Sequence, residues 1–216
     1  MMHPSELFKR IHRADNYRHI GHDLSYKFFI DRADKIIYVC FQGSDGLPDW
    51  LHNLVIIPTR MELFEGCNFF VHKGFARVYL SGNDIIMEEL RALTERLPDF
   101  EVIFGGFSHG SPPATFAAKN WFDLTGQKCK CHTFGSPMFA FGDNAQRILS
   151  NAMFLTNWIN RADAVTRVPL QQWGFRHIRE DLVNVKSLPI LSLLRVRHHH
   201  QIYERPEIYP AWTQAS

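Results

Sequence analysis

The sequence predicts an α/β fold: a mostly parallel central sheet with helices on both faces. Two observations carry that expectation. Short apolar runs alternate with amphipathic stretches through the middle of the chain, and no repeat, low-complexity segment or linker interrupts them. Hydrophobic residues make up 45% and charged residues 21% of the 216, which is enough apolar material for one sizeable core. Residues 1–216 are therefore read as a single domain.

Taken in order, residues 5–16 form a polar helical start. Residues 26–30 and 35–41 then read as two strands joined by an Asp-Arg-Ala-Asp turn, a candidate hairpin. Over 76–97 the residues Val78, Leu80, Ile85, Ile86, Leu90, Leu93 and Leu97 recur mostly three or four apart, and Pro98 follows, which predicts one helix with a stop. Residues 101–106 are an apolar run ended by glycines, and 112–124 read as a helix after a tight turn. The alternation continues with a strand over 130–134, a helix near 143–150 and a strand over 152–159. Beyond 165 the periodicity weakens to a strand over 177–185 and an apolar element over 188–196.

Charge and length remove several function classes. Lys and Arg number 24 against 22 Asp and Glu, a formal balance of +2, so no global field recommends a nucleic acid. Apolar stretches such as 54–57 and 188–194 fall short of the roughly 20 residues that cross a bilayer. The first residues carry charges and histidines where a secretory signal needs an apolar run of about 7–15 residues, which predicts a cytoplasmic protein, with non-classical release as the other route. Cys40, Cys67, Cys129 and Cys131 are too few for a disulfide scaffold. Cys129 and Cys131 alternate on one strand face without a second pair at zinc-site spacing, so they read as small buried residues.

Between the strand over 101–106 and the following helix stands Gly106-Phe107-Ser108-His109-Gly110, a Gly-x-Ser-x-Gly match. A serine on a sharp strand-to-helix turn presents its hydroxyl above the sheet, and the flanking glycines let the turn close without Cβ clashes. The His109 backbone N–H at the helix start suits an oxyanion, while its side chain is expected on the rim and not as the base. Pro112 and Pro113 suit a first helical turn. A serine nucleophile needs an imidazole to take its proton and a carboxylate to orient that imidazole. Asp163, after the strand over 152–159, is the best candidate acid. His177, His198, His199 and His200 are the candidate bases, and chemistry alone leaves the choice open.

Here the sequence resembles the class 3, fungal-type, lipase family of α/β-hydrolases. Five segments carry the resemblance in the family's order: IYVCFQGSDGLPDWLHNL, VHKGF, GFSHG, TFGSP and NRADAVTRVP. The resemblance implies Ser108 as nucleophile, Asp163 as orienting acid, and Ser44 with the His109 N–H as oxyanion hole. The family's base precedes a helix near the C-terminus, often as His-x-x-Tyr, which His200 and Tyr203 fit, with His198 as the alternative base. His177 occupies the place of a structural histidine. Three adjacent histidines seldom converge on one ion, so no metal and no cofactor is expected. Gln42 stands where the family commonly has Arg, Phe107 where it has His, and Ser111-Pro112 where small residues are usual. These departures are expected to loosen the helix entry after the elbow.

In many relatives an amphipathic segment after the oxyanion loop covers the site. Residues 45–57 fill that position, with Leu47, Trp50, Leu51 and Leu54 on one stripe, and read equally as a short lid or as a helix packed on the core. The resemblance thus implies a carboxylic-ester hydrolase acting on an acyl ester or lipid, with transient contact at a lipid surface, no nucleic acid and no transmembrane segment. The alternative is a hydrolase-fold protein with impaired catalysis that serves as a lipid-binding or interaction module.

Overall fold

The computed structural model describes residues 2–13, 15–21, 23–43, 57–62, 69–160, 163, 165–178, 181–185 and 200–209, with residues 181–185 and 200 described by backbone alone. The elements are α1 (Pro4–His12), β1 (Arg18–Ile20), β2 (Leu24–Asp31), β3 (Ile36–Phe41), β4 (Pro58–Arg60), β5 (Phe70–His72), α2 (Lys73–Leu80), α3 (Asn83–Arg96), β6 (Glu101–Phe107), α4 (Ser111–Thr125), β7 (Cys129–Phe134), β8 (Ala140–Phe141), α5 (Gly142–Ala152), β9 (Met153–Asn160), β10 (Phe175–Arg176) and β11 (Asp181–Val185).

Seven strands form the main sheet in the order β1-β2-β3-β6-β7-β9-β11. The first three are antiparallel neighbours, and the expected hairpin pairs Tyr26 with Phe41 and Asp31 with Ile36. From β3 onward every neighbour is parallel. Strands such as β3 and β6 are buried along almost their whole length because helices cover both faces. On one face, Tyr26, Val39, Phe41, Phe104 and Phe116 belong to one core cluster. On the other, Leu7, Phe8, Ile11, Tyr38, Ile103, Phe107 and Phe134 belong to a second. Cys129 and Cys131 are both buried free thiols in β7, as the alternation predicts.

The helix expected over 76–97 is two helices. The break falls at Ser81 and Gly82, where a remote turn packs into the chain. A Cβ on Gly82 would stand 2.2 Å from Ile20 Cδ1, and one on Gly21 would stand 2.2 Å from Ser81 Oγ. The strand expected over 177–185 is shorter: residues 181–185 form β11 in the main sheet, while β10 ends just before the expected range and belongs to the other sheet. The element expected over 188–196 lies outside the described residues. A second sheet of four strands, in the order β10-β8-β5-β4, has no counterpart in the sequence reading. Its strands are two or three residues long, too short for a period-2 pattern to register.

Candidate active site

Ser108 follows β6 directly and opens a 3-10 turn, Ser108–Gly110, that leads into α4. Its φ is +51°, a region that non-glycine residues seldom enter and that costs on the order of 1–3 kcal/mol. The surrounding backbone imposes it. A Cβ on Gly106 would stand 2.4 Å from the Gly110 carbonyl oxygen, and a Cβ on Gly110 would stand 2.4 Å from the Phe41 carbonyl oxygen. Only glycine fits at either place, so the turn is locked between the ends of β3 and β6. The Ser108 side chain is buried, and its Oγ has no hydrogen-bond partner among the described residues.

The helix after the elbow is tied, not loosened. Ser111 is its first residue, and the Ser111 hydroxyl points at the carbonyl oxygens of Gly106 (3.2 Å) and Phe134 (3.4 Å), which joins the helix start to two strand ends. Pro112 and Pro113 occupy the first turn, where their missing N–H groups are not needed. Phe107 turns its ring away from the elbow into the second core cluster, against Phe8 and His12.

His109 is buried, which corrects the expectation of a rim side chain. Its ring lies 5.4 Å from that of Phe75, which also packs on His72 at 4.8 Å. Burial lowers the imidazole of His109 to about 4, with Asp23 opposing weakly, and lowers that of His72 to about 4, helped by the charge that His109 would carry. Both are neutral near pH 7. His72 Nδ1 accepts the Gly74 N–H at 3.1 Å and so caps α2.

Asp163 lies just past the carboxyl end of β9, where sites gather in open α/β sheets. Phe107, Phe134 and Trp158 are in register across β6, β7 and β9, so Ser108 and Asp163 follow strands that end at the same edge of the sheet, with β7 between them. The Asp163 carboxylate is buried and accepts the Val165 N–H at 2.9 Å through Oδ1. Thr166 Oγ1 donates to the Asp163 carbonyl at 2.8 Å, and the His177 ring contacts the Thr166 carbonyl oxygen at 2.8 Å. His177 thus anchors the loop that carries Asp163, as its structural reading expects.

His200 opens a 3-10 turn, His200–Glu204. Three residues on, Tyr203 is fully buried, and its hydroxyl accepts the Asn160 N–H at 3.0 Å. Gly135, at φ +58°, leaves the space where Tyr203 and Asp163 meet. A Cβ there would stand 3.3 Å from Asp163 Oδ2 and 3.4 Å from the Tyr203 hydroxyl. Burial, and then the nearby Asp163 charge, hold the Tyr203 phenol protonated. The turn that begins at His200 is therefore anchored beside Asp163. Ser44, His198 and residues 45–56 of the candidate lid lie outside the described residues.

Sequence reasoning missed Gly43. A Cβ on it would meet the Phe107 carbonyl oxygen at 2.9 Å and Ser108 Cβ at 3.1 Å, so the chain leaving β3 runs directly over the serine. The signal was present in the Gln-Gly-Ser turn, but the contact is between segments far apart in sequence. A cleft of about 640 Å³ between α3 and α4, lined by Asn83, Met87, Arg91, Asn120 and Leu124 among others, contains no nucleophile or imidazole. Among the described residues no group of His, Cys, Asp and Glu is placed to hold a metal ion, and no helix is long and apolar enough to cross a membrane.

Residues 38–173 match the family model of Lipase (class 3). The chain is 24% identical over 153 residues to a lipase of Rhizomucor miehei, a match covering 69% of this chain and 42% of that protein. It is 25% identical over 152 residues to a secreted mono- and diacylglycerol lipase A of Penicillium cyclopium, covering 69% and 48%. The chain thus spans less than half the length of these relatives. Among solved structures it is similar to the Rhizomucor miehei triacylglyceride lipase, with a TM-score of 0.67 at 21% identity, covering 74% of this chain and 62% of the other. It is also similar to lipase II of Rhizopus niveus, with a TM-score of 0.65 at 21% identity, covering 71% and 58%. These likenesses establish the α/β-hydrolase fold. The cytoplasmic location expected from the polar start is overturned, because the Penicillium relative is a secreted protein.

Proposed function

The chain belongs to the class 3 lipase family, and on that premise we propose that it hydrolyses carboxylic esters of the acylglycerol type. In this reading residues 1–216 act as one catalytic domain. Ser108 Oγ attacks the ester carbonyl while His200 takes its proton, with His198 the alternative base. Asp163 stabilises the imidazolium, and Ser44 and the His109 N–H hold the tetrahedral oxyanion. The imidazolium then protonates the departing alcohol, which leaves an acyl group on Ser108. Water, deprotonated by the same imidazole, attacks the acyl-enzyme and releases the acid. No metal or cofactor enters these steps. An acylglycerol substrate accords with the names of the Penicillium and Rhizomucor relatives, and action outside the cell with that of the secreted Penicillium lipase.

The observation that supports this reading most is the backbone at Ser108. A serine held at φ +51° between two glycines that tolerate no Cβ sits on the strained strand-to-helix turn that presents a nucleophile. The test is hydrolysis of p-nitrophenyl esters from acetate to palmitate, with Ser108→Ala alongside. Turnover lost in the variant supports the serine mechanism, and the chain-length profile separates lipase from short-chain esterase. Equal rates for both proteins on every ester overturn it.

Gln42, beside the oxyanion loop, is the departure that favours a second reading, a binding module with impaired catalysis. A fluorophosphonate probe decides between them, since only an activated Ser108 is labelled.

A further inference from the structure

Helix α1 carries no group that the proposed chemistry uses, yet it touches both halves of it. Its residues Leu7, Phe8 and Ile11 are buried on the sheet face to which Ile103 and Phe107 contribute, so the helix lies along β6, the strand that ends in the elbow. The approach is close. A Cβ on Gly105 would stand 2.8 Å from Ile11 Cδ1, so the strand gives up a side chain for the helix to seat. The rings of Phe8 and His12 each lie 5.1 Å from the ring of Phe107, whose peptide bond leads into Ser108. Phe107 stands where the family commonly has His, and here the position is filled as an aromatic contact for α1.

The same helix holds the turn that begins at His200. The Phe8 ring lies 5.3 Å from that of Tyr203, tilted against it, and 5.3 Å from that of Phe134, edge-on. Arg13, just past the helix, grips Glu204 with both ends of its guanidinium: Nε donates to Oε1 at 2.9 Å, and Nη2 pairs with Oε2. These residues are 191 positions apart. The Glu204 carboxylate is mostly covered, and a two-point guanidinium–carboxylate pair sets an angle as well as a distance. The sheet fixes Ser108 and Asp163 through strands, whereas the turn at His200 is not part of either sheet and takes its place from packing.

We propose that α1 is a strap that registers the base-bearing turn against the nucleophile elbow, with Phe8 and the Arg13–Glu204 pair as positioning residues for acyl transfer. This rests on the serine-hydrolase reading above. Misplacing a catalytic group by about 1 Å can cost on the order of a hundredfold in rate. A strap that shifts the turn therefore acts on kcat before it acts on substrate binding or on folding.

The experiment compares the full chain with Arg13→Glu, Glu204→Arg and the double exchange. It uses burst titration with p-nitrophenyl butyrate, labelling rate with a fluorophosphonate, and thermal unfolding. Each single reversal is expected to lower kcat and the labelling rate about tenfold with KM within twofold, and the exchange to restore most of the loss. Phe8→Leu, which keeps an apolar side chain but loses the ring contacts, is expected to lower kcat without raising KM. Single reversals that label at the wild-type rate overturn the strap, as does a loss that the double exchange leaves unrepaired. A wild type that takes no probe and cleaves no ester overturns the hydrolase reading and the strap with it. A labelled wild type with insensitive variants overturns the strap alone.

Discussion

Gly43 lies against Ser108: a Cβ on Gly43 would stand 3.1 Å from Ser108 Cβ and 2.9 Å from the Phe107 carbonyl oxygen. The end of β3 and the end of β6 therefore meet over the serine, and in the proposed mechanism Ser44, the next residue after Gly43, supplies an oxyanion donor. Gly43→Ala is expected to push that loop outward. With one oxyanion donor displaced, kcat falls about 10- to 100-fold, while crowding costs stability only about 1–2 kcal/mol. Steady-state kinetics beside chemical denaturation check it, and unchanged kcat refutes it.

Ser108→Ala is expected to abolish hydrolysis and yet stabilise the fold. The hydroxyl is buried with no partner among the described residues, and removing such a group recovers about 1 kcal/mol. Guanidinium unfolding of both proteins measures the difference. A variant less stable than wild type would mean that the hydroxyl is satisfied in solution.

Tyr203→Phe removes the acceptor of the Asn160 N–H and the hydroxyl beside Asp163. The buried donor then loses a partner, at a cost of about 1–2 kcal/mol. Slower fluorophosphonate labelling is expected as well, because the Asp163 carboxylate loses the hydroxyl that lies beside it. Stability and labelling that both equal wild type would refute the contact.

Acid stability follows from the buried imidazoles. Burial holds His72, His109 and His132 at about 4 in the folded chain, against about 6.5 unfolded. As the pH falls from about 6.5 to about 4, the unfolded state binds protons that the native state refuses, so stability drops by about 1.4 kcal/mol per pH unit for each such group. His72→Asn keeps an acceptor for the Gly74 N–H and removes one titration. Its stability loss between pH 7 and pH 5.5 is expected to be smaller than wild type's by about 1 kcal/mol. Equal slopes in urea titrations at the two pH values would show that His72 is not held neutral.

Much of the framework was legible in one dimension because it is made by near neighbours. The hairpin of β2 and β3, the strand-turn-helix at Ser108, and the strand that delivers Asp163 each show their period or their turn residues within a dozen positions. The glycines at 106 and 110 announced a tight turn, and the alternation of Cys129 and Cys131 announced a buried face.

What escaped the sequence was decided by segments that meet only after folding. The apolar spacing over 76–97 continues smoothly through Gly82, and only the arrival of Ile20 and Gly21 breaks it into two helices. His109 reads as an exposed neighbour of the nucleophile, and Phe75 buries it. Nothing near Arg13 or Glu204 marks either as a partner. The sequence by itself determined the alternation of strands and helices and the sharp turn that carries Ser108, since hydrophobic period and turn residues are local; the order of strands in each sheet came from the structure. Tertiary structure alone decided the strain at Ser108, the closeness of Gly43 and the strap that α1 makes, because steric exclusion and long-range pairing exist only once distant backbones touch.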